Sequence, residues 1–358
     1  MKLLIALTDI SFVSTKSIGI FNVAMGLTKG LMSCPQVSEL HILGNEECAA
    51  QLSNLPAHVT LHLADKPVPR RFGRVYWDQW GVQRAIKRIA PDWAILPKGF
   101  PPYLRAMGNS KLACYLHDIN WEYYMSRDLG KQSPFPPSQL AYFSRLGRRS
   151  LQISDLVLTS TQFNKGRYQS LVPTCQVAVV GIGFDETAQE QPQQRGKDVL
   201  VYVSPYPHKR SDLVLPRLGA WLAQRADGQD INIHLVGEMP AGVQLPDARW
   251  IAHQKLPFAQ LQQLILQKSR CCIYFSDYEG FGMPPVESLR QGVPCLASDL
   301  PPIRENIPTR YLFDNQEESS FINALNKVYD QPDTSDCPSF PNWQQVSQRA
   351  VDAMLTLS

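Results

Sequence analysis

Several features are missing from this 358-residue chain, and each absence removes a class of protein. No run approaches the roughly 18 apolar residues that a membrane-spanning helix needs. The eight cysteines (34, 48, 114, 175, 271, 272, 295 and 337) include no C-x-x-C pair, and no histidine cluster has zinc-finger spacing. Scattered cysteines in apolar stretches behave as small hydrophobes, so a reducing compartment is expected and a disulfide framework is not. No complete G-x-G-x-x-G is present: Gly181-Ile182-Gly183 and Gly280-Phe281-Gly282 both lack the third glycine, which counts against a nicotinamide-dependent dehydrogenase. The opening stretch, Met1 to Asp9, has too short an apolar run for a signal peptide and carries an acid where a small-residue cleavage site would stand, so it reads as a first strand.

What is there describes a globular protein of two domains. Hydrophobic residues make up 44% and charged residues 19% of the chain, and its length suits two cores of about 150 residues each. Strand-like runs at 2–7, 38–43, 59–63, 93–96, 112–116, 156–160 and 176–180 alternate with helical patterns at 21–32, 76–89 and 138–152. Such alternation implies βαβ units and a parallel sheet. A polar stretch, 185–197, reads as a linker. The alternation restarts with strands at 199–203, 231–236, 250–252, 271–275 and 294–297. The expected division is a first domain at 1–184, the linker at 185–197, a second domain at 198–340 and a terminal helix at 341–358 opened by Trp343. No internal sequence repeat joins the halves.

Charge is uneven. Residues 1–190 carry 20 Lys+Arg against 14 Asp+Glu, an excess of six positive charges, whereas 191–358 carry 15 against 18, an excess of three negative ones. The basic excess includes Arg70, Arg71, Arg74, Arg84, Lys87 and Arg88, then Arg145, Arg148 and Arg149, with Tyr76, Trp77 and Trp80 inside the first cluster. This fits either a face that meets anionic lipid or a solvated helix face whose aromatics turn to the core. No nucleic-acid-binding motif accompanies the charge, so nucleic acid is not an expected partner.

The densest signal is Tyr278-Glu279-Gly280-Phe281-Gly282-Met283-Pro284-Pro285-Val286-Glu287-Ser288. Two carboxylates lie eight residues apart around a Gly-Phe-Gly turn. A proline pair suits the first turn of a helix, where a missing N–H costs nothing, and Gly292 suits its end. Glycine turns and helix N-termini present unpaired N–H groups to anions. The segment therefore reads as a diphosphate cradle with an acid on either side, or as a buried turn with two surface glutamates.

Its flanks favour the cradle. The apolar run Cys271-Cys272-Ile273-Tyr274-Phe275-Ser276 precedes it, and Gly292-Val293-Pro294-Cys295 and Pro301-Pro302-Ile303-Arg304-Glu305 follow. Over residues 271–306 this order resembles the signature of the retaining, nucleotide-sugar-dependent glycosyltransferases of family 4, the glycosyl transferases group 1. The resemblance implies a GT-B architecture, α/β with two Rossmann-like domains facing each other across a cleft. The first domain would take the acceptor and the second the donor. It implies transfer of a hexose from a nucleoside-diphosphate sugar, GDP-mannose or a UDP-hexose, to a hydroxyl of a glycan or glycolipid in cell-surface or exopolysaccharide synthesis. The alternative is a catalytically degenerate relative that serves as a binding or partner subunit.

Roles follow by the same resemblance. Glu279 would sit by the donor sugar and steady oxocarbenium charge. Gly280, Phe281, Gly282 and Met283 would meet sugar hydroxyls and phosphate, and Glu287 would bind the ribose hydroxyls. Lys209, with Arg210 beside it, would grip the diphosphate. The arginine that the family sets at the preceding strand end is replaced here by Ser204 or Pro205, with Arg210 or His208 as possible substitutes. Gly19, in the short Ser17-Ile18-Gly19, would stand for the family's glycine turn near the donor phosphate. His117, at the end of the strand at 112–116, would approach the transferring sugar, with Asp118 orienting the loop and Asn120, Trp121 and Glu122 bordering the acceptor. Ser160-Thr161 looks like a family helix start that capping alone explains. No protein nucleophile is implied. The chain has no Asp-x-Asp, and no metal or other cofactor is expected. The location implied is cytoplasmic, either free or peripheral at the inner face of the membrane.

Overall fold

The computed structural model describes residues 1–8, 10, 18–52, 54–64, 77–126, 133–185, 195–254, 256 and 258–357. They form two compact units. The first is Met1–Glu122, Pro137–Glu186 and Phe340–Ser358; the second is Tyr123–Pro136 and Thr187–Ser339. The segment Tyr123–Pro136 thus groups with the second unit, although sequence order puts it well inside the first.

In the first unit, seven strands form an all-parallel sheet: β1 (Lys2–Ala6), β2 (Glu39–Gly44), β3 (Val59–Leu63), β4 (Trp93–Leu96), β5 (Lys111–Tyr115), β6 (Leu156–Thr159) and β7 (Val177–Val179), in the spatial order β3-β2-β1-β4-β5-β6-β7. The central strands are buried on both faces, as parallel strands covered by helices must be. Leu4, Ala94, Leu112 and Cys114 pack with Ile86 and Ile89 of the helix Val82–Ile89.

The helical pattern at 76–89 is expected to be one helix. Instead it begins as a π-helical turn, Trp77–Gly81, and becomes α-helical only at Val82. Two glutamine side chains fasten this region to the loop beyond β4. Gln79 Oε1 accepts from the Tyr103 N–H at 2.8 Å and Gln83 Oε1 from the Ala106 N–H at 2.6 Å.

The terminal helix, Trp343–Thr356, belongs to the first unit. A capping box starts it, Asn342 accepting from the Gln345 N–H while Gln345 reaches back to the Asn342 N–H. Trp343 fills a slot that three glycines leave open. A Cβ on Gly26 would fall 2.0 Å from the indole, and one on Gly183 2.7 Å from it. Ser347 Oγ donates to the Leu27 carbonyl at 3.1 Å and Gly30 lies against the Trp343 backbone.

The second unit repeats the architecture with six parallel strands: β8 (Asp198–Tyr202), β9 (Ile233–Val236), β10 (Trp250–His253), β11 (Ser269–Tyr274), β12 (Cys295–Ser298) and β13 (Leu312–Phe313), ordered β10-β9-β8-β11-β12-β13. The two-residue β13 has no counterpart in the sequence reading, because two residues carry no periodicity. Its Phe313 packs with Phe275 and Phe321 at ring-centroid distances of 4.5–5.1 Å. All eight cysteines are free, and all but Cys337 are buried. No described helix is long and apolar enough to cross a membrane.

Candidate active site

In open parallel sheets, ligands bind beyond the carboxyl ends of the strands. In the second unit, β8 and β11 are hydrogen-bonded neighbours, so their C-terminal loops meet. The loop after β8 turns through Ser204, whose carbonyl and N–H both bond Ser211 Oγ, and then makes a short 3₁₀ turn, Pro207–Lys209. Arg210 follows in the left-handed region at φ 47°. Backbone and side-chain bonds lace this turn to the loop after β11. The Asp277 N–H and Ser276 Oγ both donate to the His208 carbonyl, at 2.6 and 3.2 Å. Asn315 Nδ2 holds Ser276 O and Asp277 Oδ1 from the other side, at 2.6 and 3.0 Å.

The lacing sets Lys209 opposite Glu279. Lys209 Nζ donates to Glu279 Oε1 and to the Tyr274 hydroxyl, both at 2.5 Å, and Tyr274 donates to the same Oε1 at 2.7 Å. The ammonium also lies 4.8 Å from the centre of the Tyr274 ring. Lysine and glutamate side chains are 21% and 11% exposed, so the pair is reachable yet largely out of water. Burial alone would raise the Glu279 carboxyl. The charge of Lys209 and its hydrogen bonds with Lys209 and Tyr274 outweigh that and hold it below the usual range.

The turn that follows is built as its residues dictate. Gly282 caps the helix Met283–Arg290 at φ 89°, a left-handed conformation suited to glycine, and a Cβ there would come 3.0 Å from Ile303 Cγ1. Pro284 and Pro285 sit in the first turn, and Gly292, at φ 72°, lies just beyond the last. Phe281 is buried, and its carbonyl accepts from Asn306 at 3.1 Å. Glu287 lies on this helix, half-buried and with no hydrogen bond or ion pair among the described residues. Burial pushes its carboxyl up to about 7 despite Arg290 nearby. A carboxylate in this state gains from any ligand that brings it hydroxyl donors.

Two suggested replacements for the missing cation do not supply a spare charge. Burial and the adjacent Lys209 push the His208 imidazole down to about 3, and its Nδ1 pairs with the Tyr124 hydroxyl at 2.5 Å, so it is neutral near pH 7. Arg210 keeps its charge but is held by Asp277 at 3.0 Å and by Asp212 at 3.2 Å.

In the first unit the candidates are tied inward. His117 Nε2 lies 2.8 Å from the Pro97 carbonyl oxygen; a carbonyl only accepts, so Nε2 carries the proton. Burial lowers this imidazole to about 4. The His117 carbonyl accepts from Asn164 at 3.0 Å, and its ring centre lies 4.8 Å from that of Tyr115. Only Nδ1 is left to face a ligand. Asp118 Oδ1 accepts from the Asn120 N–H at 3.1 Å, which starts the helix Asn120–Ser126. Trp121 is buried against Gly147, and Glu122 pairs with Arg148 at 3.0 Å. Thr161 caps the helix Gln162–Leu171 by accepting from the Asn164 N–H. Gly19 is not in a turn before a helix: it is the second residue of the helix Ile18–Leu31, and residues 11–17 ahead of it lie outside the described residues.

Sequence reasoning missed three things. Tyr274 was legible only as one more apolar residue of a buried strand. The aromatic group of Tyr123, Tyr124, Tyr206 and Tyr278 around His208 draws on distant segments and has no local signature. A small cavity at the carboxyl ends of β1 and β4, lined by Ala6, Thr8, Leu96, Pro97, Lys98 and Phe100 among others, lies where the strand order of the first sheet reverses.

Two α/β units of this kind, each built on a parallel sheet, are the architecture of the GT-B fold. Residues 197–331, within the second unit, match the family model described as glycosyl transferases group 1. A curated relative is the O-antigen chain mannosyltransferase RfbU of Salmonella typhimurium, 23% identical in an alignment 251 positions long that covers 63% of this chain and 67% of the relative. Among solved structures, the lipopolysaccharide outer core galactosyltransferase WaaB in its apo form aligns over 99% of both chains with a TM-score of 0.62 at 13% identity. HepE of Anabaena, in complex with UDP and glucose, aligns over 100% of this chain and 97% of its own, with a TM-score of 0.59 at 15% identity.

Proposed function

We propose that this chain transfers a hexose from a nucleoside-diphosphate sugar to a hydroxyl of a glycan or glycolipid, with retention of anomeric configuration and without a metal. The observation that carries this reading is the buried Lys209–Glu279 pair beside a helix N-terminus whose fifth residue, Glu287, is an unpaired acid. Lys209 and the amides of Gly280–Met283 would take the diphosphate, whose negative charge grows as it leaves. Glu287 would accept from the ribose hydroxyls, and Glu279 would face the charge developing at the anomeric carbon. In this mechanism the bond from the anomeric carbon to the phosphate oxygen breaks as the acceptor oxygen bonds to the same face, and the acceptor proton passes to the leaving phosphate. No side chain forms a covalent intermediate. GDP-mannose and UDP-hexoses are the donor classes supported, one by the mannosyltransferase relative and the other by the neighbour solved with UDP. The acceptor is assigned to the first unit, as the resemblance to the glycosyl transferases group 1 implies.

The test is a thermal-shift panel of UDP, GDP, UDP-glucose, UDP-GlcNAc and GDP-mannose, with and without EDTA, on the wild type and Glu287→Ala. A ligand at 100 times its Kd adds about 2.7 kcal/mol. Stabilisation by one base, unchanged by EDTA and lost in Glu287→Ala, supports the reading. No shift with any member refutes the donor site for these nucleotides. One observation favours the degenerate alternative: Ser204 and Pro205 stand where the family's arginine would, and neither His208 nor Arg210 offers a spare cation. Nucleotide stabilisation without transfer to any acceptor would decide for it.

A peripheral membrane role belongs to the same proposal. Arg84, Lys87, Arg88, Arg145 and Arg148 are exposed on the first unit, as are Trp80, Tyr103 and Leu104. Arg149 bonds the Tyr103 carbonyl and lies 5.7 Å from its ring, so charge and apolar groups share a surface. Arg70, Arg71, Arg74 and Tyr76 fall outside the described residues. Flotation with liposomes containing phosphatidylglycerol, lost on reversing Arg84 and Arg88 to glutamate, is the expected result; flotation that is absent or indifferent to the reversals rejects it.

A further inference from the structure

The acid and the lysine of the proposed donor site are not arranged as two independent ligand groups. Lys209, Glu279 and Tyr274 close a triangle in which every edge is a hydrogen bond: ammonium to phenol, phenol to carboxylate and ammonium to carboxylate. The arrangement has a physical consequence. In the absence of ligand, the ammonium that should bind the diphosphate is already neutralised by Glu279. A diphosphate can take Lys209 only by loosening that pair, and a buried carboxylate abandoned by its counter-ion pays heavily in solvation. The phenol offsets part of that cost, because it donates to Glu279 Oε1 whether or not the lysine does. Tyr274 is the last residue of β11, buried, and its phenol is pushed far above its ordinary range by burial and by Glu279, so it stays a donor at any working pH. Its backbone is locked in the sheet by pairing with Ala297, which leaves the lysine, on a flexible stem in a loop, as the mobile member.

We infer that Tyr274 is a positioning residue that lets Lys209 pass from Glu279 to the donor diphosphate while holding Glu279 ionised and aimed. This rests on the donor-site reading given above. In the free protein the lysine and phenol share the carboxylate; with nucleotide bound, the phenol keeps it. Other polar groups near the triangle are His208, neutral and turned to Tyr124, the Cys295 thiol, and the Tyr202 phenol on β8, which lies near Glu287 with its ring centre 5.9 Å from that of Tyr274 and whose hydroxyl has no hydrogen-bond partner among the described residues.

The test compares the wild type, Tyr274→Phe and Lys209→Met for transfer, for UDP and GDP binding by calorimetry, for thermal stability and for the pH dependence of kcat/KM. Tyr274→Phe keeps the ring and removes the donor. It is expected to lower kcat about tenfold while changing nucleotide Kd less than threefold, and to move the acid limb of the profile up by about one pH unit, the size of one hydrogen bond to a charged acceptor. Lys209→Met is expected to weaken nucleotide binding itself by more than tenfold. A Tyr274→Phe protein with wild-type kcat and acid limb overturns the inference, as does one whose only change is a lower melting temperature. If the wild type binds no nucleotide, the donor-site reading falls first; if it binds and Tyr274→Phe is silent, only the role of Tyr274 falls.

Discussion

Strand β5 of the first unit and strand β11 of the second both run out into a cluster of tyrosine and a titratable partner, and the two clusters are wired differently. Beyond β5, His117 spends its Nε2 proton on the Pro97 carbonyl and Tyr115 spends its hydroxyl on the Gly181 carbonyl at 2.8 Å. Both are neutral side chains satisfied by backbone. Around β11, Tyr274, Lys209 and Glu279 satisfy one another, and two of the three are charged. A neutral dipole bound to a fixed carbonyl gains little from a passing ligand. A shielded ion pair can be rearranged by an anionic one, because the lysine loses one carboxylate and gains a phosphate. The contrast is between a strand end closed by backbone carbonyls and one closed by an ion pair and a phenol.

The strongest way to break the comparison is Lys209→Met. It should cut transfer by at least about 100-fold, the cost of removing one electrostatic contact to a growing charge. It should also destabilise the second unit by about 3–5 kcal/mol, since Glu279 is left buried without its partner. Adding Glu279→Gln should restore most of the stability and none of the activity, read by urea denaturation and a transfer assay on the same samples. An equal loss of stability from a neutral site sharpens the point: Trp343→Ala should cost the first unit about 3–5 kcal/mol by emptying the slot beside Gly26 and Gly183, with nucleotide binding by the remaining folded protein unchanged.

Glu287 gives a pH-dependent test. Its carboxyl titrates near 7 in the fold, against 4.5 in the unfolded chain. Between those values the folded protein holds the extra proton, so stability falls as pH rises from 4.5 to 7 and is flat beyond. Glu287→Gln should therefore gain about 1–3 kcal/mol over the wild type at pH 8 and little at pH 4.5. Nucleotide affinity of the wild type should tighten with pH up to 7, at most tenfold per unit, and that dependence should vanish in the glutamine variant.

The smallest effects belong to His117. Its imidazole is lowered to about 4 from 6.5, so its contribution is present above pH 6.5 and lost as pH falls toward 4. His117→Gln preserves a donor for Pro97 and should cost about 1 kcal/mol; His117→Ala leaves the carbonyl unpaired and should cost about 1–3 kcal/mol. A transfer rate that drops more than tenfold in His117→Gln at unchanged melting temperature would give Nδ1 a role at the sugar and remove the contrast between the two strand ends.

Much of the fold was legible because its signals are local. Apolar runs of four or five residues such as Trp93–Leu96 and Cys271–Phe275 mark strands buried on both faces. Gly282, the proline pair and Gly292 bracket the helix Met283–Arg290 by backbone rules alone. The places where the reading slipped are those where tertiary contacts decide. Gly19 looks like a turn glycine but is the second residue of the helix Ile18–Leu31. The segment Tyr123–Pro136 leaves its neighbours in sequence because its aromatic side chains find His208, Tyr206 and Tyr278.

The sequence by itself determined the alternating parallel architecture, the glycine-capped helix and the spacing of Glu279 and Glu287, since each depends on neighbours within a dozen residues. Only the tertiary structure decided that Lys209 faces Glu279 across 70 residues of chain, that Tyr274 joins them, that His208 is neutral and that Trp343 lodges against Gly26. The physical reason is that charge state and hydrogen-bond partnership follow from burial and from which loops the sheet order brings together, and neither quantity exists until the strands have paired.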